Sequence, residues 1–234
     1  MPIKNDYPAD TDPEILKKIH VLEFPNVTES HADPSLALFH DGEKTHCVFA
    51  GGLYEDIRNP AYAIRLFGRM KDDGVVLHLF GKLYGDALPE KLPENVIHHG
   101  TVGTETAQAC MQAADALVNI GNAVKNQMPS KLLTYISFGS PILNIVKRTD
   151  CPTLPYLEKY PLALNVPETP ELSDETVERV RSFIMQNRGK HLPFDTIKSS
   201  YASCTLDHVG GEVYEIIRGA ISKADKKCKG KNEK

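Results

Sequence analysis

ADALVNIGNAVKNQMPSKLLTYISFGSPILNIV, residues 114–146, holds the pattern that decides the fold. Ala116–Ile120 is a short apolar run closed by Gly121, too uniform in polarity for a strand with one wet face. Residues 130–138 have helical spacing and end at Gly139, a residue type favoured just past a helix C-terminus. Residues 141–146 are apolar again. Strand, glycine turn, helix, strand is the unit of a parallel sheet with helices on its faces.

The unit recurs upstream. Residues 47–50 are apolar and run into Gly51-Gly52, and Asn59-Pro60 starts a helical stretch to about Asp72. Val75–Phe80 is a strand ended by Gly81, and residues 95–98 another, ended by Gly100. Thr104 opens a helix with Ala107, Cys110, Met111 and Ala114 facing inward. Residues 162–166 add an edge strand, Ser173 caps a further helix, and a last helix runs from about Leu206 to Lys223. The fold class expected is α/β, a doubly wound, Rossmann-like parallel sheet. Residues 1–44 read as an irregular linker with one short strand at 19–24, residues 45–224 as the lobe, and residues 225–234 as a basic solvated tail.

Composition narrows the function. The 234 residues carry a net charge of −4, with no basic excess to neutralise a nucleic-acid backbone. No apolar run approaches the roughly 20 residues that span a bilayer. Five widely spaced cysteines without a CxxC fit neither a disulfide framework nor a zinc site, and suit a reducing compartment. Neither GxGxxG nor GxxxxGK[ST] is present, which disfavours dinucleotide dehydrogenases and P-loop NTPases.

Ligands of such sheets bind outside the carboxyl ends of the strands. The residues delivered there suit a diphosphate. Gly51 and Gly52 let backbone N–H groups approach an anion, and Ser130, Lys131 and Leu132 open a helix with a lysine in its first turn. That lysine opposes the helix dipole unless an anion is bound. Arg58 can complete a clamp. Each has a plain structural reading as well: Gly51-Gly52 as a turn, Arg58 and Lys131 as solvated charges, Ser130 as an N-cap, and His98-His99 as strand-end packing without metal-ligand spacing.

The run 114–122, with 126–143 behind it, resembles the donor-binding region of family 4 glycosyltransferases. The likeness extends in order over residues 46–166: residues 49–53 with Arg58-Asn59-Pro60, Leu79-Phe80-Gly81, and residues 92–96 followed by Gly100-Thr101-Val102. It implies one lobe of a GT-B architecture and retaining transfer of a sugar from a nucleoside diphosphate sugar to a glycan or lipid-linked acceptor. Arg58, Lys131 and the N–H groups of residues 130–132 would hold the diphosphate, with no metal required and no other cofactor. Thr101, Val102 and Thr134 would meet the base and ribose, and Asn126 and Gln127 the donor sugar. The catalytic group is left unassigned. A cytoplasmic protein, peripheral at the inner membrane face, is the implied setting.

Two departures stand out. Asn126 and Thr134 occupy the places of a pair of glutamates eight positions apart in that family. Neither carries charge, and loss of a charge-assisted bond to the ribose costs about 1.5–3 kcal/mol of binding. The roughly 45 residues before the first strand are also too few for an acceptor lobe, so a missing N-terminal lobe or a partner chain is expected. The alternatives are a non-catalytic nucleotide-sugar-binding or assembly subunit, and a nucleotide-sugar epimerase.

Overall fold

Six parallel strands in the order β5-β3-β1-β6-β7-β8 form the sheet in a computed structural model of the chain, which describes residues 11–40, 42–125, 127–129 and 131–229. In chain order the elements are α1 (Pro13–Leu16), β1 (Thr45–Ala50), β2 (Leu53–Tyr54), α2 (Ala61–Gly68), β3 (Val75–Phe80), β4 (Leu83–Tyr84), β5 (Val96–Gly100), α3 (Thr104–Ala113), β6 (Ala116–Ile120), α4 (Lys131–Ser137), β7 (Ile142–Val146), α5 (Leu154–Leu157), β8 (Ala163–Pro167), α6 (Asp174–Asn187), α7 (Phe194–Ser200) and α8 (Leu206–Lys229). This is the Rossmann-like α/β fold. The chain divides into two compact units, Glu29–Ile197, which contains the sheet, and a second made of residues to Thr28 together with those from Lys198 onward. Among the described residues no helix is long and apolar enough to cross a membrane.

Chain direction explains where a ligand can sit. From β1 the strands build outward through β3 to β5, then return to place β6 on the other side of β1. The reversal leaves a crevice at the carboxyl ends of β1 and β6, the switch point of an open sheet.

The two faces of the sheet differ in chemistry. On one, Cys47, Phe49, Leu77, Leu79, Val118, Ile120, Leu143 and Ile145 pack with Tyr62, Leu66 and Phe67 of α2 and with Val177, Val180 and Ile184 of α6, all at most 4% exposed. Burial of each large side chain there stabilises by about 1.5–3 kcal/mol. The other face carries polar groups that satisfy one another. Asn119, Asn144 and Asn165 stand in register on β6, β7 and β8. Asn119 Nδ2 donates to Asn144 Oδ1 at 2.6 Å, and Asn144 Nδ2 donates to Asn165 Oδ1 at 2.7 Å. His46, His78 and His99 on β1, β3 and β5 form a second chain with ring nitrogens 2.9 Å apart at each step, and Phe39 stacks on the first two rings at 4.4 Å. Cys47, Cys110, Cys151 and Cys204 are buried thiols outside any disulfide.

Most expected elements are present with ends shifted by a residue or two, but the helix expected to about Asp72 stops at Gly68 and the one expected to Lys223 runs to Lys229. Ser173 caps α6 through a 3.2 Å bond from the Thr176 N–H, and Asn59 Oδ1 accepts from Ala61 N–H at 2.8 Å at the start of α2. The strand expected at 19–24 does not form. Phe24 is 49% exposed and its carbonyl accepts from Asn26 N–H in a tight turn instead of joining a ladder. Where plain loops were expected after β1 and β3, β2 and β4 pair in parallel, with Tyr54 and Tyr84 stacked at 4.3 Å and 2°.

Gly81 has φ 142°, and a Cβ there would lie 1.8 Å from the Gly51 carbonyl oxygen. Gly74 has φ 70° but open space around it. Gly81→Ala is therefore expected to lose at least about 2 kcal/mol in urea unfolding, from backbone strain and overlap together. Gly74→Ala is expected to lose about 1 kcal/mol from the left-handed conformation alone.

Candidate functional site

The carboxyl ends of β1, β3 and β5 terminate in glycines whose backbones touch. Gly51 N–H donates to the Phe80 carbonyl at 2.8 Å, and Gly81 N–H donates to the Gly100 carbonyl at 2.8 Å. With no side chains at these ends, the floor of the crevice is bare backbone. Above it lies a cavity of about 290 Å³, lined by Ala50, Gly51, Phe80, Gly81, Thr101, Val102, Thr104, Ala107, Gln108, Met111, Lys131 and Thr134. Its walls are the loops after β1, β3 and β5, the inner side of α3 and the first turn of α4.

Five residues singled out from sequence meet in this cavity: Gly51, Thr101, Val102, Lys131 and Thr134. Arg58 borders it, since a Cβ on Gly51 would lie 3.4 Å from Arg58 Nη1. Gly52 is turned onto Tyr54, where a Cβ would come within 2.8 Å of the ring. Leu132 is fully buried, and its N–H donates to the Pro129 carbonyl at 3.1 Å. Gln127 is exposed, and its carbonyl accepts from Asn122 Nδ2 at 3.1 Å. Asn126 and Ser130 lie outside the described residues.

Two residues not singled out hold this arrangement. Asn122 Oδ1 accepts from Arg58 Nε at 2.9 Å, which aims the guanidinium. Tyr135, on α4, reaches under the floor: its hydroxyl accepts from Ala50 N–H at 2.8 Å and donates to the Ala50 carbonyl at 3.3 Å. Asn122 follows the strand-ending Gly121, a position at which a polar side chain looks like loop chemistry. Tyr135 sits on the buried stripe of a helix, where the sequence pattern reads it as core.

The electrostatics are one-sided. Burial lowers the pKa of Arg58 and of Lys131, although Lys131 stays exposed along part of its length. Among the described residues neither cation has a carboxylate partner, and the cavity lining contains no Asp, Glu or His. Two partly desolvated cations beside a floor cleared of side chains suit a polyanion, but the Gly51 N–H expected to approach it already donates to the Phe80 carbonyl. Lys131 is the one titratable group among the described residues of the lining. Among the described residues no group of His, Cys, Asp and Glu could hold a metal ion. A larger cavity of about 580 Å³, lined by Phe39, His40, His46 and Lys71 among others, lies at the amino ends of β1 and β3, away from the crevice.

No family model and no curated protein matches the chain by sequence. Solved structures do match in fold. A lipopolysaccharide outer core galactosyltransferase, WaaB, in its apo form is 16% identical with a TM-score of 0.57, over 88% of this chain and 57% of that one. A GtfA/B complex is 8% identical with a TM-score of 0.55, over 85% of this chain and 39% of that one. Both are glycosyltransferases of the GT-B fold. The chain spans little more than half the length of the first and less of the second.

Tyr135→Phe removes both bonds to the Ala50 peptide groups and leaves a buried N–H unpaired. A stability loss of about 1–3 kcal/mol in urea unfolding is expected.

Proposed function

We propose that the chain is the donor-binding lobe of a glycosyltransferase and holds a nucleoside diphosphate sugar at the switch point. The observation that carries this reading is the pair of partly desolvated cations, Arg58 and Lys131, bordering Gly51 with no carboxylate opposed to them among the described residues. The diphosphate lies over the backbone of Gly51 with these two cations on it. Base and ribose extend toward Thr101, Val102 and Thr134, and the donor sugar toward Asn126 and Gln127. When the sugar–phosphate bond breaks, negative charge grows on the leaving diphosphate. Fixed cations stabilise that charge without reorganising and without a metal.

Thr134 fills a position that would suit a ribose-binding carboxylate, and offers one hydroxyl. Donor affinity is accordingly modest. Because the cavity lining has no carboxylate or histidine among the described residues and its one lysine is committed to the diphosphate, the acceptor and the group that deprotonates it come from a second lobe or a partner chain. The short span relative to the GT-B structures supports this division. Transfer with retention to a glycan or lipid-linked acceptor completes the proposal. The same lack of a carboxylate or histidine favours a nucleotide-sugar-binding subunit as the second reading and speaks against an epimerase.

Calorimetric titration of the wild-type chain with UDP, GDP and ADP tests the reading. One diphosphate is expected to bind, and Lys131→Ala to weaken it about tenfold or more, the loss of one charged hydrogen bond. Binding of none of the three, or binding indifferent to Lys131→Ala, overturns the donor site. A bound anion favours the charged lysine, whose pKa is lowered in the free protein. Affinity should therefore fall as pH rises into the alkaline range, and Lys131→Ala should remove that dependence.

A further inference from the structure

Five large apolar side chains of α8 stand in solvent: Leu206, Val213, Tyr214, Ile217 and Ile221, from 38% to 65% exposed. At about 100° per residue they share one arc of about 100°. On the adjoining side of the helix Val209 is buried and Ile216 half-buried. Gly210 falls inside the exposed arc. A glycine within a helix weakens it, and a Cβ at Gly210 meets nothing within 4 Å, so no contact among the described residues asks for one. A second backbone passing close by does.

Charge changes sign along the same helix. Residues 206–222 hold Asp207, Glu212 and Glu215 against Arg218, which lies 3.5 Å from Glu215. Residues 223–234 hold six lysines against two acids, in a chain whose net charge is −4. Such a helix complements itself when reversed. With Ile217 at the two-fold, an antiparallel copy sets Val213 level with Ile221, Gly210 with Ala224, and Asp207 with Lys227, while Glu212 falls one residue from Lys223. A parallel copy sets like charges together instead. An anionic lipid surface attracts the lysines but repels the three acids beside the apolar arc. We infer that α8 is a self-association surface, through which two copies of the chain pair antiparallel. The inference is independent of the donor-lobe reading.

Sedimentation equilibrium of the full chain tests it, and a reversible monomer–dimer equilibrium is expected. Ile217→Glu changes an exposed position, so circular dichroism should be unaltered. It is expected to raise the dimer Kd about tenfold or more, because the two-fold buries this side chain twice. Raising salt to about 0.5 M should weaken the dimer, since screening removes the attraction between acids and lysines. Asp207→Lys with Glu212→Lys in one chain, and Lys223→Glu with Lys227→Glu in another, should each abolish self-association, and mixing the two should restore it. A monomer at every concentration, or a dimer indifferent to Ile217→Glu, overturns the surface. A dimer strengthened by salt overturns the antiparallel arrangement. Pelleting of monomer with phosphatidylserine vesicles, abolished by Ile217→Glu, assigns the arc to lipid and overturns the second copy. UDP, GDP and ADP affinity should be the same in Ile217→Glu, so the dimer and the donor site stand or fall separately.

Discussion

Backbone touches backbone where the strands end. Gly81 passes so close to Gly51 that no side chain fits between them, and the Gly51 and Gly81 N–H groups reach the neighbouring strand ends through 2.8 Å hydrogen bonds. Everything at the crevice depends on that approach. It brings β1, β3 and β5 to a common level, clears side chains from the floor and lets Arg58 and Lys131 come in from the sides. Gly121 does the same between β6 and β7, where a Cβ would meet the Ile145 carbonyl at 2.7 Å.

The sheet above this floor is held in register by two different means. On its apolar face, packing is tolerant: similar volumes can exchange at modest cost. On its other face, the asparagine and histidine chains leave little latitude. Asn144 both accepts from Asn119 and donates to Asn165, and also donates to Thr153 at 3.2 Å. A slip of one residue would turn these amides to the opposite face and strand their buried polar atoms. The polar ladders thus restrict the alternatives while the apolar face supplies most of the stabilisation.

Sequence reading recovered the sheet well because both signals were local. Continuous apolar runs such as Val75–Phe80 and glycines at their ends need no knowledge of partners. The failed strand at 19–24 shows the limit, since a run that short needs a neighbour to become a strand. The site was partly legible. Gly51, Lys131 and Thr134 meet in one cavity because the strand-end rule placed them there. Asn122 and Tyr135 escaped notice because their roles are relational: one aims an arginine sixty-four residues earlier and the other anchors a strand eighty-five residues away. Leu132 shows the converse, as its N–H, free on paper, is engaged by Pro129.

The buried thiols have a consequence for watching this protein move. Burial raises the pKa of Cys47 and of Cys110 and so suppresses the thiolates that react with alkylating probes. Cys47 lies in the central strand, Cys110 on α3 beside Leu38, Cys151 next to Thr153 behind β7, and Cys204 ahead of α8. Labelling at each position waits on a local opening event. These four described thiols thus serve as internal clocks, and their separate rates map which parts of the molecule breathe independently and which open only when the whole sheet comes apart.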